Sequence, residues 1–386
     1  MSESDQPVSP LEADVRTALA AVDDPEIGRS IIELDMVESV TVDGGKVHVH
    51  VLLTVSGCPM REEITRRVTT AVQAVPGVSE ATVSLGVMND DQRKALATHV
   101  RGGRPEKEIP FAQPGSLTRV YAVASGKGGV GKSTVTTNLA AAMAADGLRV
   151  GVLDADIYGF SIPRMLGVTG RPTQVEQMIL PPQAHGIRVI SIGMFTRDNG
   201  PVVWRGPMLH RALQQFLADV HWGDLDVLLL DLPPGTGDIA ISVAQLLPSA
   251  EIVVVTTPQL AAHEVAERAG AIATQTHQRL AGVVENMAGL TLPDGTVLDI
   301  FGAGGGAAAA EGLTRTLGHD VPLLGSIPLD PRLREGADSG APLVMTHPDS
   351  PAAEAIRTVA RALTGKPRGL SGMSLNISPT RKPPAA

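Results

Sequence analysis

A glycine-rich stretch between an apolar run and a helical run constrains this chain more than any other feature. Residues 126–134 read Gly-Lys-Gly-Gly-Val-Gly-Lys-Ser-Thr; they follow the apolar run 120–124 and precede the helical stretch 135–145. Gly, four residues, Gly, Lys and Ser/Thr in a strand–loop–helix setting is the pattern of a phosphate-binding loop. Its glycines let backbone N–H groups face phosphate oxygens, and the helix start adds partial positive charge. The stretch therefore predicts a nucleotide site.

Every residue of this loop is a predicted nucleotide contact: Gly126, Lys127, Gly128, Gly129, Val130, Gly131, Lys132, Ser133 and Thr134. We expect Lys132 to reach the β- and γ-phosphates of ATP, and the Ser133 hydroxyl to bind Mg²⁺. Lys127 comes too early in the loop to act as Lys132 does. It could cross a dimer interface and neutralise charge on the partner's nucleotide, or it could be a solvated loop lysine.

The order of elements predicts two domains. Short apolar strands alternate with helical stretches after residue 119, which is typical of an α/β domain with a mostly parallel sheet flanked by helices. Before it, the order α-β-β-α-β indicates a small α+β domain. The predicted divisions are a flexible leader (1–8), the small domain (9–91), a linker (92–116), the P-loop NTPase domain (117–364) and a disordered basic tail (365–386).

Carboxylates follow two of the predicted strands. Asp231 ends the run 226–230, and Asp154 and Asp156 follow the strand 150–153. Parallel α/β sheets bind ligands at the carboxyl ends of their strands. Asp231 is therefore a predicted part of the Mg²⁺ site, the alternative being a strand-end residue that caps the next turn.

Several stretches resemble one group of ATPases. Residues 127–134 resemble the deviant phosphate loop of the dimeric ParA/MinD group, and 154–163, 204–208, 226–238 and 285–287 are similar to the Mrp family of iron–sulfur cluster carrier ATPases. The likeness covers about residues 116–363. The small domain, with Ser-Gly-Cys58-Pro, also resembles one found in iron–sulfur assembly factors.

This resemblance implies site roles and an activity. It implies that Lys127 acts in trans across an ATP sandwich dimer, that Asp156 positions the attacking water and that Asp154 lies near Mg²⁺. It also implies that Asn286 and Pro328 contact adenine. The expected protein is a cytoplasmic, Mg²⁺-dependent ATPase that forms a homodimer and transfers iron–sulfur clusters to client or assembly proteins.

The chain departs from the Mrp pattern at its cysteines. That family carries Cys-x-x-Cys shortly after Glu-Asn-Met, whereas residues 288–300 here contain no cysteine and Asp294-Gly295 predicts a hairpin turn. Cys58 is the single cysteine of the chain. A labile cluster would need Cys58 from each subunit, and Cys58 is either a thiolate favoured by a helix start or an ordinary turn residue.

Net charge and composition indicate whether the chain could bind nucleic acid or span a membrane. A net charge of −9 and only 2% aromatic residues argue against nucleic-acid binding. The chain contains no apolar run long enough to cross a membrane. Two alternatives stay open: an ATP-dependent assembly scaffold that carries no cluster, and a ParA/MinD-like positioning ATPase.

A pair of histidines lies in the small domain. His48 and His50 alternate along a predicted strand and so share one face, where they could bind a metal ion together or simply be exposed.

Overall fold

The computed structural model describes residues 9–54, 60–100, 108–113, 115–157, 159–176, 178–195, 206–235, 238–259, 270–271, 273–292 and 294–365. It confirms the predicted fold class, an α/β P-loop NTPase fold preceded by a small α+β domain. The helices are α1 (Pro10–Leu19), α2 (Arg61–Gln73), α3 (Asp90–Val100), α4 (Lys132–Ala145), α5 (Ile162–Met165), α6 (Gly206–Ala218), α7 (Asp238–Leu246), α8 (Gly305–Leu317), α9 (Pro331–Ser339), α10 (Leu343–Thr346) and α11 (Pro351–Thr364).

Three strands form the sheet of the small domain: β1 (Val37–Asp43), β2 (Lys46–Leu53) and β3 (Glu80–Val87). β1 and β2 are an antiparallel hairpin, as the Asp43-Gly44-Gly45 turn predicts, and β3 lies parallel to β2 on its other side. Alternate residues of β2 are buried. The buried residues pack against α1 and α2, which leaves the opposite face of the sheet to polar side chains.

The large domain is built on an eight-stranded sheet in the order β15-β12-β11-β4-β10-β5-β9-β8. Its strands are parallel except for β8, which pairs antiparallel with β9. Helices cover both faces and give two apolar cores. The strands are β4 (Arg119–Ala124), β5 (Val150–Asp154), β8 (Gln183–Ala184), β9 (Ile187–Ser191), β10 (Val227–Asp231), β11 (Glu251–Thr256), β12 (Leu280–Ala288) and β15 (Leu323–Pro328).

Two short hairpins complete the large domain. One consists of β6 (Thr173–Val175) and β7 (Met178–Leu180), and the other of β13 (Leu290–Thr291) and β14 (Val297–Leu298). The second is the hairpin that Asp294-Gly295 predicts. No helix in the described part of the chain is long and apolar enough to span a membrane.

The β6–β7 hairpin joins the two domains. Val175, Met178 and Leu180 are buried in the core of the small domain, whereas Ile179 between them is buried in a core of the large domain. Beside the hairpin, His221 Nε2 lies 3.0 Å from the carbonyl oxygen of Ile27. The two domains therefore share apolar core, which the sequence did not indicate.

The linker predicted over 92–116 differs from the structure in its first part. Residues 92–100 belong to α3, and Leu96 and Val100 are buried in the core of the small domain. The polar composition of this segment hid two apolar residues spaced by about one helical turn. The leader, the tail beyond Gly365 and Cys58 lie outside the described residues.

Candidate functional site

The phosphate-binding loop runs from the end of β4 to the start of α4. Gly129 and Gly131 adopt φ angles of 78° and 77°, a left-handed conformation that favours glycine. A Cβ at Gly131 would also collide with the Asn286 amide. Asn286 itself is buried and donates a hydrogen bond to the carbonyl oxygen of Val130 (2.9 Å). The loop is therefore shaped by its own glycines and held by a side chain from β12.

Asp231 is the centre of the polar cluster beneath this loop. The side chain is fully buried. It accepts hydrogen bonds from Ser133 Oγ (2.6 Å) and Thr136 Oγ1 (2.9 Å). Lys132 Nζ lies 2.8 Å from Asp231 Oδ1, yet among the described residues this buried ammonium finds no partner in good hydrogen-bond geometry. Its donors are thus left available for an anion at the loop.

The Ser133 and Asp231 side chains fit a Mg²⁺ ion. Both offer oxygen atoms, which are the ligands this hard cation prefers. They come together because Ser133 is in the first turn of α4 and Asp231 ends the strand beside β4. The sequence predicted this pair; Thr136, which completes the cluster, was missed although it lies one helical turn after Lys132.

Asp154 lies beside Asp231 on the next strand of the sheet, and it too is fully buried. Its carboxylate accepts hydrogen bonds from the backbone of Asp156 (3.3 Å), Ser161 (3.1 Å) and Ile162 (3.2 Å). The Ser191 hydroxyl donates a fourth (3.1 Å). Burial, and secondly the Asp231 carboxylate, nevertheless raise the pKa of Asp154 to about 7. The edge of the sheet thus crowds two carboxyl groups.

Asp156 and Lys127 lie on the loops that surround this cluster. Asp156 is buried, and one of its carboxylate oxygens accepts the backbone N–H of Gly159 (3.1 Å). Lys127 Nζ donates a hydrogen bond to Gln259 Oε1 of the same chain. For Lys127 to act on a second copy of the chain, this contact would have to break.

The predicted adenine contacts follow β12 and β15. Asn286 Nδ2 is used to hold the loop, as described above, and Pro328 ends β15 with partial exposure. Glu285, which belongs to the stretch 285–287 but was not among the predicted site residues, is buried and accepts hydrogen bonds from the Gly306 backbone (2.8 Å) and Ser326 Oγ (2.7 Å). Glu285 therefore fixes the start of α8 to the sheet. Its place just before Asn286 is the signal that could have found it.

The predicted iron–sulfur ligand, Cys58, lies outside the described residues. Within the described residues, no group of three or more His, Cys, Asp and Glu side chains has an arrangement that could hold a metal ion. The β13–β14 hairpin follows Asn286 and carries no cysteine.

Comparison with known families gives two matches. Residues 116–364 match the ParA family model described as NUBPL iron-transfer P-loop NTPase. Residues 12–85 match the family described as iron-sulfur cluster assembly protein. These two ranges correspond closely to the two domains seen in the structure.

Individual relatives extend over nearly the whole chain. The chain is 66% identical to an iron-sulfur cluster carrier protein from Mycobacterium bovis, over 96% of this chain and 98% of the relative. It is 40% identical to a protein of the same name from Synechocystis, over 91% and 96%. Among solved structures, a nucleotide-binding protein from Archaeoglobus fulgidus in complex with ADP is 38% identical, covers 57% of this chain and 86% of its own, and has a TM-score of 0.49.

Proposed function

This chain belongs to the NUBPL iron-transfer P-loop NTPases, and on that premise we propose that it is a Mg²⁺-dependent ATPase that acts as a homodimer and transfers iron–sulfur clusters to apoproteins. One observation carries the ATPase part of the proposal. Lys132 and Ser133 of the loop meet the buried Asp231 within 2.8 Å, at the carboxyl edge of the sheet.

The loop would bind the triphosphate with its backbone N–H groups and the Lys132 ammonium. Backbone N–H groups of the loop and the start of α4 favour an anion. The Lys132 ammonium is paired with Asp231 but has unused donors. It would turn toward the β- and γ-phosphates, while Ser133 and Asp231 hold Mg²⁺, which supplies positive charge for the transferring phosphoryl group.

Two further residues would act on hydrolysis rather than binding. Asp156 would orient the attacking water, a role that needs alignment more than a strong base. Lys127 of the second copy would neutralise charge that develops on the γ-phosphate, as an arginine finger does. Support for both roles comes from their place on the loops around the Asp231 cluster and from membership of the family.

Lys127→Ala tests the trans role. We expect the variant to bind ATP as the native protein does and to lose hydrolysis by about a thousandfold or more, the scale of an arginine finger. Lys132→Ala should lose ATP binding itself. Both quantities are measurable with a fluorescent ATP analogue and a phosphate-release assay.

Gln259→Ala is the matched control. It removes the partner of Lys127 within one chain but keeps the lysine. Hydrolysis should therefore persist in this variant. Undiminished turnover in Lys127→Ala, or equal loss in both variants, would contradict a role for the lysine in trans.

The carrier part of the proposal concerns the cargo. The M. bovis and Synechocystis relatives are named as iron-sulfur cluster carriers, and the small domain matches an iron–sulfur assembly family. Because Cys58 is the one cysteine, a cluster bridged by two chains would take one thiolate from each. Non-cysteine ligands or a small thiol would complete its coordination.

Anaerobic reconstitution with iron and sulfide tests this part. We expect bound iron in the native dimer and its loss in Cys58→Ser, with ATPase activity retained in the variant. The absence of bound iron in the native protein would contradict the carrier proposal.

A second candidate, an assembly scaffold, is favoured by one observation. The β13–β14 hairpin occupies the place after Asn286 where the Mrp pattern has Cys-x-x-Cys, and it contains no cysteine. A scaffold would hydrolyse ATP and bind assembly partners without holding iron. An iron-free native protein that still co-purifies with those partners would favour it.

A further inference from the structure

The open face of the small sheet brings two imidazole rings to one oxygen atom. His48 and His50 lie two residues apart on β2 and so point to the same face. In the register of the parallel pair they stand opposite Thr82 and Ser84 of β3. His48 Nε2 lies 2.8 Å from Ser84 Oγ, and His50 Nδ1 lies 2.6 Å from the same oxygen.

The outer nitrogen of each ring lies near an oxygen atom. His48 Nδ1 lies 2.9 Å from Thr82 Oγ1, a hydroxyl that also lies 3.4 Å from the Val47 carbonyl oxygen. His50 Nε2 lies 3.4 Å from a carboxylate oxygen of Glu38.

The inner nitrogens of the two rings converge on one oxygen atom. His48 Nε2 and His50 Nδ1 both lie within 2.8 Å of Ser84 Oγ. A neutral imidazole carries a lone pair on one nitrogen, and that lone pair can bind a metal ion. An ion in the place of Ser84 Oγ would have both rings as neighbours.

Two details of the backbone serve this arrangement. The pairing of β1 with β2 shifts between Val37 and Ser39, so Glu38 is the extra residue of a β-bulge. Bulges redirect side chains, and here the redirected carboxylate reaches His50. On β3, a Cβ at Gly86 would come within 2.6 Å of His50 Nε2, so glycine leaves room for the ring.

We propose that His48 and His50 form a binding site for a divalent transition-metal ion on the open face of the small domain. Imidazole nitrogen is a good ligand for Zn²⁺, Ni²⁺ and Fe²⁺. A carboxylate that accepts the other N–H of a ligating histidine is the common second partner in such sites. The Ser84 hydroxyl gives up its place to the ion by rotating about χ1, and water fills the remaining coordination positions.

The proposed histidine site differs from the nucleotide site in its ligand atoms and in its exposure to solvent. It uses two nitrogen ligands on a solvent-facing sheet, whereas the Ser133–Asp231 pair offers buried oxygen atoms. Its ligand count of two agrees with the finding that no three His, Cys, Asp or Glu side chains of the described residues converge on a metal position. The proposal does not depend on ATP hydrolysis or on cluster transfer.

Zinc titration of the full-length, nucleotide-free Cys58→Ser protein tests the proposal. The substitution removes the thiol as a competing ligand. We expect one zinc ion, seen by calorimetry, that is lost in His48→Gln and in His50→Gln. Glu38→Ala should weaken this ion about tenfold to a hundredfold, the usual effect of removing an outer partner. Melting temperatures check that each variant is folded.

Two further variants separate the metal site from a general effect of histidine. His99 also faces a carboxylate, Glu33, at 3.5 Å; His99→Gln should leave zinc binding unchanged. Ser84→Ala keeps both rings and removes the competing hydroxyl, so zinc should bind as well as before or more tightly.

The nitrogen spectrum of the rings shows whether both of them bind the ion. We expect zinc to shift the ¹⁵N resonances of His48 Nε2 and His50 Nδ1. If neither resonance responds to zinc, the proposal is wrong. Equal zinc binding by the native protein and both histidine variants would overturn it as well.

Discussion

The carboxyl edge of the large sheet and the contact between the two domains both bury an ionisable side chain and favour its neutral form, but they place different neighbours beside it. At the sheet edge, burial and the nearby Asp231 raise the pKa of Asp154 to about 7. At the domain contact, burial lowers the pKa of His221 to about 4, and the ring reaches the Ile27 carbonyl oxygen. The edge therefore places a second carboxyl group beside its buried group, whereas the contact offers its histidine a hydrogen-bond acceptor.

This difference separates a site from an interface. A surface that only has to stay closed is most stable when its buried groups are neutral and hydrogen-bonded. The sheet edge instead places Asp154 and Asp231 on adjacent strands with Lys132 as the near cation. Unfavourable electrostatics of that kind are typical of functional sites, because a bound ligand or ion can compensate for them.

Asp154→Asn is expected to have the largest effect on how stability depends on pH. The pKa of Asp154 is about 7 in the folded protein and 3.8 in the unfolded chain, so the folded state holds the proton between these values. Acidification from pH 8 to pH 4 should thus stabilise the nucleotide-free protein by about 4 kcal/mol through this group. The unfolding free energy of the variant, measured in urea between pH 8 and pH 4, should lack this increase.

The comparison depends on the sign of this effect. A difference between native and Asp154→Asn unfolding free energies that stays constant with pH would show that the carboxyl group is not held neutral. The edge would then hold two charged carboxylates, unlike the domain contact with its neutral histidine.

His221→Gln is expected to have a slightly smaller effect of opposite sign. The pKa of His221 is about 4 when folded and 6.5 when unfolded, so only the unfolded chain takes up the proton between these values. Acidification through this window should cost about 3 kcal/mol. Glutamine keeps a donor for Ile27 without titrating, and its unfolding free energy should lack this loss.

The two variants are most informative together. Between pH 4 and 6.5 the contributions of Asp154 and His221 oppose each other, so each single variant should reveal the slope due to the other. If each single variant is only as dependent on pH as the native protein in this window, other groups control the dependence.

Glu176→Gln is expected to have the smallest effect. Glu176 lies 3.6 Å from Arg93 across the domain contact, with 32% and 24% of the two side chains exposed. Partly exposed ion pairs contribute less than about 1 kcal/mol and weaken in salt. Urea unfolding at low and high salt should show a change in the unfolding free energy below that limit. A larger change would show that ion pairing, rather than apolar packing, is the main interaction between the domains.

The nucleotide site was largely predictable because its residues are close in sequence or end neighbouring strands. Lys132, Ser133 and Asp231 follow from the loop pattern and from the rule that parallel strands end at one edge. Thr136 and Glu285 were not predicted, since their partners come from distant segments and neither belongs to the loop pattern.

The same distinction holds for the fold. The alternation of strands and helices gave the large sheet, and the turn at Gly44 gave the β1–β2 hairpin. The contact of the β6–β7 hairpin with the cores of both domains could not be predicted from such local patterns. Its four buried strand residues are divided between two cores, and no local pattern indicates which core each of them meets.

Because of the β6–β7 hairpin, the boundary between the domains along the sequence differs from their boundary in the folded structure. Val175, Met178 and Leu180 belong to the large domain by chain order but fill the core of the small one. A fragment cut after residue 107 would expose all three to water, at a cost of roughly 1.5–3 kcal/mol each, and would leave a hollow in the separated small domain. The two halves are therefore not interchangeable modules: either half, expressed alone, should be less soluble than the intact chain unless the hairpin is redesigned.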